Sequence, residues 1–149
     1  MELPQAIRDN YLFHGLSDAN IDEILALATT KTFDGGDTIL RQFGRDNDLL
    51  IILTGQALIK TFSGEPVAEV GAGSVLGEVS LIDTEPRSAT VIARYECSVA
   101  SIPAAGLKNL MRHDIEMRSI MLENLAKVLC QRLRSANMQL DVAYAVTVR

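Results

Sequence analysis

The chain has 149 residues, with 14 Lys and Arg against 19 Asp and Glu and a formal net charge of −5, a length that suits one domain burying roughly two thirds of its unfolded surface. An acidic balance of this kind excludes a chain that grips nucleic acid by itself, because a phosphate backbone demands clustered Lys and Arg. The longest apolar run, Leu49 to Leu53, is far too short to cross a bilayer, and MELPQAIRDN has no apolar core of signal-peptide length.

Read along the chain, the order is helix, then strands, then helix, within a single domain 1–149. Helices are expected over about 1–30, strands over about 31–103, further helices over about 104–140 and a tail over 141–149. Ser17 suits the N-cap of a helix over Asp18 to Ala28, where Ile21, Ile24, Leu25 and Ala28 share a face. From Lys31 the period changes. Short apolar runs at Thr38 to Leu40, Leu49 to Leu53, Ala57 to Phe62, Val67 to Val70, Thr90 to Ala93 and Ser98 to Ile102 alternate with Gly, Asp, Asn, Ser or Pro. Strands so spaced indicate a sandwich or barrel, and Gly35, Gly36, Gly44, Gly55, Gly64 and Gly71 sit where its turns belong.

Between Gly73 and Val91 the chain reads GSVLGEVSLIDTEPRSATV. Gly73 and Gly77 let the backbone pass close to a ligand. Glu78 offers a carboxylate for ribose hydroxyls, and a helical turn over Val79, Ser80 and Leu81 would aim unpaired amides at an anion. The planar fork of Arg87 suits two phosphate oxygens at once, with the Ser88 hydroxyl and the Ala89 amide as further donors. These groups in one loop suit a sugar phosphate.

The segments Leu76-Gly77-Glu78-Val79-Ser80-Leu81 and Arg87-Ser88-Ala89-Thr90-Val91 resemble the phosphate-binding cassette of the cyclic nucleotide-binding domain family. That family includes the bacterial catabolite activator protein and the regulatory subunits of cyclic AMP-dependent protein kinase. Its pattern is Phe-Gly-Glu-aliphatic-small-Leu, a variable loop, then Arg-small-Ala-x-Val; Leu76 replaces the commoner Phe. The resemblance implies a mainly β fold, a jelly-roll β-roll with an N-terminal helix and a long C-terminal helix. It implies a cyclic AMP receptor, with Ile59 and Val67 lining the base pocket from the sheet and Arg132 and Asn137 approaching from the long helix. Ser88 leans towards cyclic AMP; cyclic GMP, or a nucleotide-free roll acting as a dimerisation module, is the alternative.

After Pro103 the pattern is helical again: Ala104 to Arg112, a break at His113-Asp114, then a long helix to about Leu140 with Leu122, Leu125, Leu129, Leu133, Ala136 and Leu140 at steps of three and four. It runs about ten residues past what one small roll can cover at 1.5 Å per residue. By resemblance its distal half pairs with a twin in a homodimer; a monomer with the helix folded down as a lid is the other reading. In the tail, Val142, Tyr144, Val146 and Val148 alternate with Ala143, Ala145 and Thr147, which predicts an extended strand. Related domains close the pocket with an aromatic lid, a part Tyr144 would take.

The nine residues after Leu140 leave no room for a DNA-reading module, so a downstream protein partner, with no direct nucleic acid or membrane contact, is the expected output. A metal-dependent barrel enzyme would need several converging His, and only His14 and His113 exist. Cys97 and Cys130 have no metal spacing and read as buried or half-buried free thiols, which suits a reducing, cytoplasmic setting. The expected function is binding without catalysis and without metal.

Overall fold

A computed structural model describes residues 1–41, 44, 47–61, 63–83, 87 and 89–147, the side chains of 146 and 147 excepted. Helix α1 (Leu3–Asp9), a 3-10 turn (Tyr11–Phe13) and α2 (Asp18–Leu27) come first. Among the described residues eight strands follow: β1 (Thr29–Phe33), β2 (Thr38–Leu40), β3 (Leu49–Thr54), β4 (Gln56–Lys60), β5 (Pro66–Gly71), β6 (Val75–Leu76), β7 (Thr90–Ala93) and β8 (Cys97–Ile102). A second 3-10 helix (Glu78–Leu81) interrupts them after β6, and α3 (Ala104–His113) and α4 (Ile115–Thr147) close the chain.

The strands form two antiparallel four-stranded sheets, ordered β1-β8-β3-β6 and β2-β7-β4-β5. β3 shows why the roll holds together. Its LLIIL run is buried throughout, with Leu49, Ile51 and Leu53 packed against the helices and Leu50 and Ile52 packed between the sheets. Successive side chains of a strand point to opposite faces, so a strand covered on both sides reads as a continuous apolar run. β8 divides the same way: Ala100 and Ile102 face the helices, Cys97 and Val99 the roll interior.

Ser17 Oγ accepts the amide of Asn20 at 3.1 Å and caps α2, which buries Ile21 and Ile24. Asp114 starts α4 in the same manner, its carboxylate accepting the Met117 amide at 3.0 Å. That bond and one from Asn20 hold the Asp114 carboxyl below its usual pKa. Along α4, Met117, Met121 and Leu125 are buried, and Asn124 Nδ2 donates to the carbonyls of Leu12 at 3.0 Å and His14 at 2.8 Å. From Gln131 to Ala145 every residue is exposed. No helix among the described residues is long and apolar enough to cross a membrane.

Several expectations need correction. The tail is helix, not strand: α4 continues to Thr147. Each residue added to a helix satisfies its own amide within the helix, whereas a strand needs a neighbour to pair with. Strand β1 begins at Thr29, before the expected boundary, and is mostly exposed. Its TTKTF sequence has no apolar run, and pairing with β8 makes it a strand. The two-residue β6 also lacked a sequence signal. Cys130 is exposed on α4, while burial pushes the Cys97 thiol upward. Phe62, expected to end the fourth strand, lies outside the described residues.

Candidate functional site

A cleft of about 440 Å³ opens where β6, the Glu78–Leu81 helix, β7 and α4 meet. Gly77 makes the turn between the first two with φ 80° and ψ 17°, the left-handed region that a side chain resists. Its missing Cβ matters for a second reason. A Cβ there would collide with Nη1 of Arg87 and lie 3.2 Å from the Asp48 carbonyl oxygen. The guanidinium therefore occupies space that only glycine leaves open.

Arg87 is 6% exposed. Its Nη1 donates to Ser80 Oγ at 3.0 Å and its Nη2 to the Asp48 carbonyl at 2.7 Å. Its amide donates to the Gly44 carbonyl at 3.0 Å. Asp48 is itself tied to the sheet, its carboxylate accepting from Ser101 Oγ on β8 at 2.9 Å and lying 3.9 Å from Lys31 on β1. The roll thus presets the direction of the cation, which spares part of the ordering cost when an anion arrives.

Glu78 is 4% exposed and meets Nη2 of Arg132 on α4 at 2.5 Å. Among the described residues, the ionisable ones lining the cleft are Glu78, Asp83, Arg87 and Arg132. A buried carboxylate can accept from hydroxyls, and a fixed guanidinium in the same cleft can donate to an oxyanion. Among the described residues, no group of three or more His, Cys, Asp or Glu gathers where it could hold a metal ion.

Of the residues singled out from sequence, Ile59, Leu76, Gly77, Glu78, Val79, Ser80, Arg87, Ala89 and Arg132 line this cleft. Ser88 lies outside the described residues. Two are not brought there. Val67 is 60% exposed, because Ile59 pairs with Ala68 while Lys60 pairs with Pro66, leaving Val67 as the extra residue of a bulge. Asn137 stands five residues beyond Arg132 on α4, roughly 140° around the helix, and is exposed. Tyr144 is likewise 71% exposed and absent from the lining.

The cleft also takes in Leu40, Val75, Asp83 and Val91, which sequence reasoning passed over. Leu40 and Val91 are register partners on β2 and β7. Their apolar character was visible, but the face they share needed the pairing.

Tyr11 lies in the 3-10 turn that α4 clasps through Asn124, and its hydroxyl is buried without a hydrogen-bond partner among the described residues. Burial pushes the phenol up to about 12, Glu78 adds to the rise and Arg132 opposes it. An unsatisfied buried hydroxyl costs about 1–3 kcal/mol, so Tyr11→Phe is expected to leave the melting temperature at pH 7 unchanged or raised. The folded protein holds the phenolic proton more tightly than the unfolded chain. Stability linked to Tyr11 is therefore complete below pH 10 and lost as pH rises towards 12, and Tyr11→Phe should fall less steeply above pH 10 in thermal scans.

Residues 30–114 match the family model described as cyclic nucleotide-binding domain. The chain is 29% identical over 135 residues to the cyclic AMP receptor protein of Thermus thermophilus, across 88% of this chain and 61% of that one. The crystal structure of the Thermus thermophilus catabolite activator protein superposes with a TM-score of 0.75 at 28% identity, covering 89% of this chain and 62% of the other. The regulatory domain of Toxoplasma gondii PKA, co-crystallised with cAMP, does so with a TM-score of 0.72 at 27% identity, covering 86% and 48%. The chain spans between 16% and 61% of the length of curated relatives that it matches.

Proposed function

The chain belongs to the cyclic nucleotide-binding domain family, and we propose that it takes up cyclic AMP in the cleft around Arg87 and relays occupancy through α4. The observation that carries this reading is the buried guanidinium of Arg87, held by Ser80 and the Asp48 carbonyl beneath the Glu78–Leu81 helix. A cyclic phosphodiester carries one negative charge, and Arg87 with the amides of that helix replaces the water it loses. Glu78 accepts from the ribose 2′-hydroxyl. Ile59 and Leu40 border the space beside it for the base. The role is binding, not catalysis, and the output is a cytoplasmic partner protein.

Calorimetric titration with cyclic AMP and cyclic GMP tests the reading directly. Saturable one-to-one binding with cyclic AMP the tighter ligand is expected; no heat with either would leave only a structural roll. The 2′-deoxy analogue tests Glu78. A hydrogen bond to a charged acceptor is worth about 1.5–3 kcal/mol, so the analogue should bind wild type roughly ten- to a hundredfold more weakly. On Glu78→Ala the parent and the analogue should bind alike. Equal affinities for wild type would give Glu78 another role.

The relay runs through Arg132. While α4 holds Glu78, the carboxylate that ribose would take is already engaged, so nucleotide binding and the position of α4 are coupled by differential affinity. Beyond Arg132, Leu133 and Leu140 are exposed on the same stripe as Ala136 and Ala143, with the half-buried Leu129 at its start. Such a seven-residue repeat fits a second copy of α4 in a homodimer. Leu133→Asp with Leu140→Asp should convert a dimer to a monomer in sedimentation at micromolar concentration. An unchanged mass would remove α4 as the seam.

A further inference from the structure

A second cleft, of about 490 Å³, is lined by Leu81 and Ile82 at the end of the Glu78–Leu81 helix and by residues of α3 and α4. Its apolar surface comes from Leu81, Ile82, Met111 and Leu122, and its rim carries Lys108, Arg112 and Arg118. Ile82 is 52% exposed there. None of the three cations forms a salt bridge or side-chain hydrogen bond with any described residue.

Two features set this cleft apart from ordinary solvated surface. Lys108 and Arg112 are four residues apart on α3, an arrangement in which like charges repel. Arg118 adds a third positive charge from the second turn of α4, on a chain whose net charge is −5. An anion among them relieves that repulsion, while the apolar floor, partly open to water, accepts a hydrocarbon group. The volume falls within the range of small-molecule sites.

We propose that this cleft is a binding site for a small organic anion with a medium-length apolar chain, its acid group among Lys108, Arg112 and Arg118 and its chain over Ile82 and Met111. The site is separate from the cleft of Arg87, and the proposal does not depend on the nucleotide reading. Charge complementarity selects the acid, and the compact floor favours a small molecule over a protein segment.

Octanoate, 1-octanol and acetate serve as probes, followed by the NMR shifts of the Ile82 and Met111 methyl groups. Octanoate should bind saturably at one-to-one stoichiometry. Acetate lacks the chain and 1-octanol lacks the charge, so each should bind at least tenfold more weakly. Arg112 and Arg118 are both exposed, so Arg112→Ala with Arg118→Ala should keep the fold, checked by its melting curve, and lose at least tenfold in octanoate affinity. Arg87→Leu should leave octanoate binding unchanged. Octanoate binding that survives removal of both arginines, or equals that of 1-octanol, overturns the proposal. So does failure of octanoate to bind while a dodecapeptide of alternating Glu and Leu binds, which would make the cleft a protein-docking surface.

Discussion

Arg87→Leu should abolish measurable high-affinity nucleotide binding while leaving the protein folded. Leaving a buried charge without its partner costs on the order of 3–5 kcal/mol, which is roughly a hundred- to a few thousandfold in affinity. The free protein has less to lose. A leucine in that place forfeits the bonds to Ser80 and the Asp48 carbonyl but needs no counter-charge, and exchanging a buried ionic group for an apolar one is often close to neutral. Thermal scans separate the two effects. Wild type should melt higher with nucleotide in excess, by an amount equivalent to about 2.7 kcal/mol at a hundred times Kd. The variant should melt near wild type without nucleotide and gain nothing when it is added. Wild-type affinity in Arg87→Leu would dismiss the cleft as the binding site.

The second large effect is expected at Gly77, and Gly73 provides its control. Both have positive φ, 80° and 90°. An alanine at either therefore strains the backbone by roughly 1 kcal/mol or more. Their surroundings differ. Among the described residues, a Cβ on Gly73 meets only the Met1 side chain, at 3.8 Å, whereas one on Gly77 runs into the Arg87 guanidinium. Gly73→Ala should lower stability and change nucleotide affinity by no more than about twofold. Gly77→Ala should lower stability by more than Gly73→Ala and cost at least tenfold in affinity, because Arg87 must leave the position in which Ser80 and Asp48 hold it. Equal affinities for the two variants would mean that Arg87 can shift without consequence, and the preset direction of the guanidinium would lose its importance.

Much of the cleft was legible from sequence because its chemistry is local. Leu76 to Leu81 and Arg87 to Ala89 form one stretch of chain, and residues so close in sequence need only one turn at Gly77 to face one another. Arg132 was reached by resemblance alone, and its partner Glu78 emerged only when α4 was laid across the roll. The strands Thr38–Leu40 and Thr90–Ala93 were read with their observed limits, since apolar runs bounded by turn residues carry their own signal. β1 was not, because a polar edge strand owes its conformation to β8.

What sequence determined by itself is the kind of chemistry: an acid, a guanidinium and close-approaching glycines suited to an anionic sugar ligand. Tertiary structure decided which groups serve that chemistry. Two of the acceptors that hold Arg87 are backbone carbonyls, of Gly44 for its amide and of Asp48 for its guanidinium, and every residue has a carbonyl, so no pattern of side chains marks these two. Val67 was turned away by a single bulge, and Asn137 by five residues of helical rotation. The second basic cleft exists only because α3 and α4 bring Lys108, Arg112 and Arg118 to one side of Leu81 and Ile82. In each case the deciding quantity is a pairing register or a packing angle, set by contacts between residues far apart in the chain.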